Sequence, residues 1–232
     1  MKVKMKKTLK KIIKVCLLVI VCIMVINFSF RPLKIDHRQK EKINQLYHIL
    51  TNIEMATQFD SIRYCNSRKI VAIIDLYNPE MRQDLKYQIA AEIQKMSLKY
   101  SNLDIELICA TITHESARTW NPEVISPVGA LGLMQIMPTT GMNLNIEEGL
   151  PWHSAEETLF NPIYNIRLGC MYLSYLITAY SIDGGLAAYN GGMKRAEQWI
   201  RNGRADGILH EETAFYVPSI LKIYEEYQHL NI

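Results

Sequence analysis

The chain contains few cysteines, five among 232 residues, and their arrangement excludes a disulfide framework. Cys16 and Cys22 lie in an apolar run near the N-terminus, which leaves Cys65, Cys109 and Cys170. An odd number of cysteines at wide spacing is not the paired pattern of a disulfide-stabilised fold. Because Cys109 and Cys170 lie among apolar residues, we predict that both are unreactive thiols in a hydrophobic core.

The net positive charge of the chain comes from its first 14 residues. Residues 1–14 contain seven lysines and no acidic residue, which exceeds the net charge of +3 of the whole chain. The rest of the chain is therefore mildly acidic. Proteins that bind nucleic acids usually present a basic face, so this composition argues against a nucleic-acid partner.

One long apolar run follows the lysines. Residues 15–26 are uniformly apolar, and Phe28 and Phe30 extend the run to residue 31. Its length lies between the core of a signal peptide and a transmembrane helix of about 20 residues, and no small-residue cleavage site follows. We therefore predict a basic cytoplasmic leader at 1–14, an uncleaved signal anchor, or transmembrane segment, at 15–31, and export of all later residues.

Strand patterns are scarce, whereas helical periodicity recurs along the remaining chain. The predicted helices cover residues 40–59, 67–77, 81–100, 103–116, 138–144, 161–180, 184–189, 193–202 and 211–227. Glycine pairs at 184–185 and 191–192 are expected to mark breaks between helices. We predict an all-α protein in which residues 32–83 form a helical stalk and residues 84–232 form one compact domain.

The most unusual stretch is a nearly continuous apolar run at 103–112 that ends in the polar residues Thr113, His114, Glu115 and Ser116. The run is typical of a buried helix, which places Glu115 at its C-terminal end. The negative end of the helix dipole and apolar surroundings both disfavour a charged carboxylate, so both raise its pKa. A general acid that works near neutral pH requires a raised pKa. A simpler alternative is that Glu115 pairs with a neighbouring Lys or Arg.

Other catalytic motifs are incomplete or missing. His114 and Glu115 suggest a zinc protease, but the second histidine would be required at position 118, which is Arg118. The chain also lacks the sequences Gly-x-Ser-x-Gly and Gly-x-x-x-x-Gly-Lys, which mark serine hydrolases and phosphate-binding loops. We therefore expect no metal site and no other cofactor.

Several short motifs follow one another in order from Glu115 onward. They are Glu115-Ser116, Asn121-Pro122, Ser126-Pro127-Val128-Gly129-Ala130, Gly132-Leu133-Met134-Gln135, Asn161-Pro162, Asn165-Ile166, Ala188-Tyr189-Asn190 and Glu212-Thr213-x-x-Tyr216-Val217. Together they resemble the catalytic domain of the SLT-type lytic transglycosylases, which has a lysozyme-like α fold related to goose-type lysozyme. The resemblance covers roughly residues 84–227 and leaves out the apolar run and the stalk. It implies that peptidoglycan is the substrate and that a catalytic domain at 84–232 lies on the outer, periplasmic side of a bacterial inner membrane.

The resemblance also implies roles for individual residues. Glu115 is expected to be the only catalytic acid/base, oriented by a hydrogen bond with Tyr189. The other residues are expected to contact the sugar or to support the acid: Ser126 and Gln135 as donors to N-acetyl groups, Met134, Asn190 and Tyr216 as further cleft residues, and Ser116 and Glu212 as supporting residues. Three of these residues have simpler explanations, namely Met134 in the core, Ser116 at the helix terminus and Glu212 as a cap of the last helix.

The matched segments offer no obvious second carboxylate beside Glu115, whereas most glycosidases use two. The resemblance therefore implies that the 6-hydroxyl of N-acetylmuramic acid is the nucleophile and that the product is a 1,6-anhydro sugar. A hydrolytic lysozyme of the same fold and a non-catalytic wall-binding protein are the alternatives.

The chain departs from the family pattern at two places. Arg118-Thr119 lengthen the loop before Asn121 by two residues, and Gly191-Gly192-Met193 follows Asn190.

The predicted anchor can be tested at the N-terminus. Because the apolar run has no small-residue cleavage site, we expect the exported protein to keep residues 1–31 and to sediment with membranes. Terminal sequencing of protein purified from the membrane fraction checks this expectation. A mature protein that starts near Phe30 would instead identify the run as a cleaved signal peptide.

Overall fold

The computed structural model describes residues 2–29 and 37–230, and the regular structure in these ranges is helical. The helices are α1 (Lys2–Ser29), α2 (His37–Tyr77), α3 (Gln83–Lys99), α4 (Ile105–Glu115), α5 (Pro138–Glu148), α6 (Ala155–Leu159), α7 (Pro162–Gly191), α8 (Met193–Arg201) and α9 (Glu211–Gln228). Two isolated β-bridges, Ile125–Leu131 and Leu131–Ile136, join turns in the segment between α4 and α5. The predicted all-α class is therefore confirmed for the described residues.

The chain divides into two compact units, residues 1–56 and 57–232. The first unit consists of α1 and the N-terminal part of α2, and it exposes large apolar side chains between Ile13 and Val25. None of the helices in the ranges 2–29 and 37–230 combines the length and the apolarity that a membrane crossing requires. The predicted anchor also includes residues 30 and 31, which lie outside the described residues.

The second unit is built around α4. Nearly every residue of this helix from Ile105 to Thr113 is buried, and the helix packs against α3 and α9. The long helix α7 packs in turn against α3, α5, α6, α8 and α9. Cys109 in α4 and Cys170 in α7 are both fully buried, which confirms that they are core thiols. A helix that is apolar on all sides is stable only where other elements surround it, and α4 has this position.

The C-terminal part of α2 belongs to the same unit. Ile70, Ile73 and Ile74 are at most 1% exposed and lie in the core. The ammonium group of Lys86 on α3 is buried and donates a 2.6 Å hydrogen bond to Asp75 Oδ1 on α2. Apolar packing and an ion pair between the buried Lys86 and the exposed Asp75 thus join α2 to α3.

The predicted boundary between stalk and domain, at residue 84, lies inside this unit. The sequence also predicts two helices at 40–59 and 67–77, but the structure has the single helix α2. Residues 60–66 contain neither glycine nor proline, so no residue there interrupts the helical hydrogen bonds.

Gly184 and Gly185 in α7 have a different structural role from the predicted one. A break is predicted at Gly184 and Gly185, but both are helical, and the backbone deviates at Ser181 (φ 62°, ψ 178°). A Cβ atom on Gly185 would lie 2.7 Å from Ile177, and one on Gly184 would lie 2.7 Å from Ile200. These glycines therefore allow close packing and do not form a turn.

The contribution of α2 can be tested by truncation. We expect a chain that begins at residue 57 to unfold cooperatively, and a chain that begins at residue 84 to lose most of its stability. Each fully buried isoleucine contributes about 1.5–3 kcal/mol, so losing Ile70, Ile73 and Ile74 removes a large part of the roughly 5–15 kcal/mol typical of a domain. Urea unfolding followed by circular dichroism measures the difference. Equal unfolding midpoints would show that residues 57–83 are not part of the folded unit.

Candidate active site

Glu115 is the last residue of α4, where the sequence places it, and its side chain is only partly exposed. Burial raises the pKa of the Glu115 carboxyl to about 7, from an ordinary value of 4.5. A hydrogen bond from Tyr216 lowers this pKa, and the negative charge of Glu212 raises it. The carboxyl can therefore hold a proton near neutral pH and release it there, as a general acid and base must.

Tyr216 on α9 holds the Glu115 carboxyl in place. Its hydroxyl donates a hydrogen bond to Glu115 Oε1 at 2.5 Å, and its side chain is only 2% exposed. The Tyr216 ring also meets the ring of His114 edge on, with 4.8 Å between the ring centres. The packing of α9 against α4 brings these residues together although they are far apart in the sequence.

The predicted hydrogen bond between Tyr189 and Glu115 is wrong in this structure. The Tyr189 hydroxyl donates instead to the backbone oxygen of Met134 at 2.8 Å. A tyrosine has one hydroxyl hydrogen, so it cannot donate to both groups. Burial raises the pKa of Tyr189 well above its ordinary value, and the negative charge of Glu115 raises it further. The Tyr189 hydroxyl holds the backbone at Met134.

The segment from Leu131 to Met134 is fixed by the buried side chain of Asn165. The amide oxygen of Asn165 accepts from Met134 N at 2.7 Å, and its amide nitrogen donates to Leu131 O and Leu159 O, both at 2.9 Å. No role for Asn165 is predicted from the sequence, although the residue belongs to one of the ordered motifs. A buried amide whose hydrogen bonds are all satisfied by backbone groups positions those groups rigidly.

Gly132 and Gln135 give this segment its tight path. Gly132 has φ 78°, and a Cβ atom there would lie 2.2 Å from Leu159 O, so only glycine fits. Gln135 has φ 47°, and its amide nitrogen donates to Gly132 O at 2.8 Å and to Val124 O at 3.2 Å. These bonds use both amide hydrogens, and the role of Gln135 as a donor to a sugar N-acetyl group stays a prediction. Its side-chain oxygen remains as an acceptor.

The Met134 side chain lies in the core and does not line the cleft as predicted. It is fully buried, and a Cβ atom added at Gly169 would lie only 2.4 Å from its Sδ atom. The Cys170 Sγ atom lies 4.0 Å from the same sulfur. The absent side chain at Gly169 leaves room for the thioether, which is why Met134 points inward.

Ser126 closes a turn at the edge of this segment. Its backbone N–H donates to Ala130 O, and its hydroxyl oxygen accepts from Ala130 N, both at 2.9 Å. Neither bond uses the hydroxyl hydrogen. The role of Ser126 as a donor to an N-acetyl group therefore stays a prediction.

Asn190 and Glu212 link the end of α7 to the start of α9. The Asn190 side chain accepts from Thr213 Oγ1 at 2.6 Å and donates to Glu212 Oε1 at 3.3 Å. Glu212 is exposed, and its charge raises the pKa of Glu115. A second carboxylate therefore lies within electrostatic reach of the acid, which the sequence analysis did not find because the two residues belong to different helices. The roles of Asn190 and Glu212 toward a sugar stay predictions.

Ser116 supports the loop that follows the acid. The Ser116 side chain is buried, and its hydroxyl oxygen accepts from Trp120 N at 3.1 Å. The indole of Trp120 is fully buried and donates to Thr113 Oγ1 at 2.9 Å. Ser116 therefore fixes the exit of the chain from α4, and Trp120 is an anchor that the sequence analysis missed.

The described residues contain no group of three or more His, Cys, Asp or Glu side chains that is arranged to hold a metal ion.

The raised pKa of Glu115 predicts a pH-dependent effect on stability. Between about pH 4.5 and 7 the folded protein keeps a proton on Glu115 that the unfolded chain releases, so wild-type stability falls as pH rises through this window. The Glu115→Gln side chain is uncharged at every pH, like the protonated glutamic acid. The stability of the variant should therefore not fall in this pH window. We expect the variant to match wild type below about pH 4.5 and to be more stable, by up to about 3 kcal/mol, above about pH 7.

Urea unfolding of both proteins at pH 4.5 and pH 8 tests this expectation. Glu211→Gln removes an exposed carboxyl from the same region and is the control, for which no such pH-dependent difference is expected. If Glu115→Gln differs from wild type by the same amount at both pH values, the Glu115 pKa is not raised.

The family model for the transglycosylase SLT domain matches residues 92–211, about half of the chain. The soluble lytic murein transglycosylase of Escherichia coli K12 is 38% identical over 122 residues, which are 48% of this chain and 19% of that protein. The membrane-bound lytic murein transglycosylase C of Photorhabdus laumondii is 36% identical over 148 residues, which are 55% of this chain and 40% of that protein. The matched part of the chain thus spans about a fifth of the length of the soluble relative.

Solved structures give the same result. The 70 kDa soluble lytic transglycosylase of Escherichia coli superposes with a TM-score of 0.51 at 34% identity, over 59% of this chain and 24% of that one. A complex of the 70-kDa soluble lytic transglycosylase with bulgecin A superposes with a TM-score of 0.53 at 33% identity, over 61% of this chain and 24% of that one. The chain therefore belongs to the transglycosylase SLT domain family.

Proposed function

We propose that this protein is a lytic transglycosylase that cleaves the β-1,4 bond between N-acetylmuramic acid and N-acetylglucosamine in peptidoglycan. The observation that carries the proposal is the partly buried Glu115 carboxyl, with its pKa raised to about 7 and a hydroxyl donor, Tyr216, fixed on one oxygen. The names of the relatives, which are lytic murein transglycosylases, support the substrate class.

In the first step, protonated Glu115 donates its proton to the glycosidic oxygen, and the bond to the anomeric carbon of the muramic acid breaks. In the second step, the Glu115 carboxylate takes the proton of the muramic 6-hydroxyl while that oxygen bonds to the anomeric carbon. The carboxyl returns to its protonated state, and no water is consumed. A group that acts first as acid and then as base works best with a pKa near the working pH.

Tyr216 supports both steps. Its hydroxyl donates to one carboxyl oxygen, which leaves the other oxygen for the substrate and fixes the plane of the carboxyl. This donor also stabilises the carboxylate formed after the first proton transfer, and so limits how far burial raises the pKa of Glu115.

A hydrolytic lysozyme of the same fold is a second candidate, and one observation favours it. The negative charge of Glu212 raises the pKa of Glu115, so a second carboxylate influences the acid. Inverting glycosidases use a second carboxylate to activate water. The Glu212 carboxylate accepts a hydrogen bond from Asn190, however, and its side chain is exposed. We therefore prefer the intramolecular route and assign Glu212 a supporting role.

We also propose that the N-terminal segment attaches the enzyme to the bacterial inner membrane with its catalytic unit on the periplasmic side. The apolar side chains between Ile13 and Val25 are exposed, and seven lysines precede the apolar run. Lysines of this kind stay on the cytoplasmic side. Some relatives are named membrane-bound lytic murein transglycosylase C, which supports a membrane location.

Product analysis tests the proposed reaction. With purified peptidoglycan sacculi, we expect muropeptides that are lighter by one water than lysozyme products, resist borohydride reduction and take up no label from heavy-oxygen water. Glu115→Gln should lower the rate by at least about 100-fold because a positioned general acid contributes roughly 10²–10⁴-fold. Mass spectrometry and rate measurements check both expectations.

Two further variants separate the candidates. Glu211→Gln should leave the rate unchanged, and Glu212→Gln should slow the reaction without changing the product. Reducing, borohydride-sensitive products that disappear in Glu212→Gln would identify a hydrolase. Activity of Glu115→Gln at a tenth of the wild-type rate or more would exclude Glu115 as the acid.

A further inference from the structure

The loop directly after the acid, residues 117–120, has an unusual backbone. Ala117, Arg118 and Trp120 have φ angles of 51°, 61° and 47°, in the left-handed region that disfavours residues other than glycine. This loop includes the two residues by which the chain departs from the family pattern, Arg118 and Thr119. Strained conformations persist only where the surrounding structure fixes them, and they cluster at functional sites.

Several hydrogen bonds fix this loop to the last turn of α4. Arg118 N donates to Thr113 O at 2.8 Å, and Ala117 N donates to His114 O at 3.1 Å. The Thr119 hydroxyl donates to Ser116 O at 2.6 Å. The backbone of Arg118 therefore lies against the helical turn that carries Glu115.

The other end of the loop is anchored in the core through Trp120. Its indole donates to Thr113 Oγ1, which is also 2.9 Å from the hydroxyl of Tyr227 on α9. The backbone oxygen of Trp120 accepts from Asn78 Nδ2 at 3.3 Å, just after the end of α2. Residues of α4 and Asn78 bond directly to the loop, and α9 bonds to the same Thr113 hydroxyl that holds Trp120. The loop is therefore a rigid support for the Arg118 side chain.

The Arg118 side chain on this loop is exposed. Among the described residues, no carboxylate lies within ion-pair distance of Arg118. The backbone N–H of Arg118 donates to Thr113 O, one residue before His114, so Arg118 lies at the turn of α4 that carries Glu115. Burial lowers the pKa of His114, and the positive charge of Arg118 lowers it further. The His114 ring contacts Tyr216, the residue that holds the acid. Arg118 thus supplies an unpaired positive charge at the margin of the site.

We propose that Arg118 binds a carboxylate of the peptide attached to N-acetylmuramic acid, so that the enzyme prefers peptide-bearing glycan. This inference rests on the proposed function. A planar guanidinium forms paired hydrogen bonds with a carboxylate, and holding it on a rigid loop lowers the entropic cost of doing so. The sugar rings carry no charge, and the lactyl group of the muramic acid is an amide when a peptide is attached. The peptide carboxylates are then the anions nearest to the scissile bond.

Binding measurements with the full chain test this inference without turnover. The Glu115→Gln variant serves as the background, and the ligands are two short synthetic glycans that differ only in whether their peptide carboxylates are free acids or primary amides. We expect the free-acid glycan to bind about tenfold more tightly, as a charge-assisted pair at an exposed site allows. Arg118→Gln should abolish this preference, and Arg118→Lys should keep part of it because lysine retains the charge but not the planar fork.

Arg201→Gln is the matched control, since Arg201 is an arginine on α8 with a side chain that is 79% exposed. It should leave the preference unchanged. An Arg118→Gln variant that keeps the preference, or that weakens both ligands equally, would overturn the inference. A third ligand, glycan stripped of peptide, carries a free lactyl carboxylate, and an effect of Arg118→Gln confined to this ligand would also overturn it.

The same proteins separate this inference from the proposed function. If the wild-type chain releases no anhydro product but the Glu115→Gln background still shows a carboxylate preference that depends on Arg118, only the proposed reaction fails. If anhydro product forms and wild-type kcat/KM is equal for the acid and amide glycans, only the role of Arg118 fails.

Discussion

The burial of Glu115 at the end of α4, with Tyr216 donating to its carboxyl, is the constraint on which the rest of the site depends. Burial favours the protonated form and the tyrosine favours the charged form, so the pKa is set by a balance of two opposing effects. The balance requires a helix that is apolar on all sides, so α3 and α9 must both pack against α4. The packing that stabilises the unit therefore also raises the pKa of Glu115.

The conformation of the backbone at 131–134 is a second consequence of packing. Asn165 fixes backbone groups at 131–134, Gly132 allows the close approach to Leu159 O, and Tyr189 binds the backbone oxygen of Met134. Several side chains that look like sugar ligands in the sequence thus hold the protein backbone. We infer that the motif Gly-Leu-Met-Gln is needed mainly for the shape of this segment.

The family match begins at residue 92, but the physical unit begins earlier. Asn78 binds the backbone oxygen of Trp120, and Tyr227 donates to the hydroxyl of Tyr77 at 3.2 Å. The end of α2 is therefore connected to the loop that carries Arg118. This connection joins a segment outside the matched region to one wall of the proposed site.

Patterns in the sequence alone predict the all-α class, the buried helix with Glu115 at its end, the core thiols Cys109 and Cys170 and the membership of the family. These features follow from local composition, periodicity and ordered motifs. Three outcomes could not be predicted from these patterns: Tyr216 and not Tyr189 donates to Glu115, Met134 points into the core, and the charge of Glu212 acts on the acid. These outcomes depend on how α4, α7 and α9 pack, because a hydrogen bond is decided by differences in position of about an ångström, and no local pattern in the sequence records such distances.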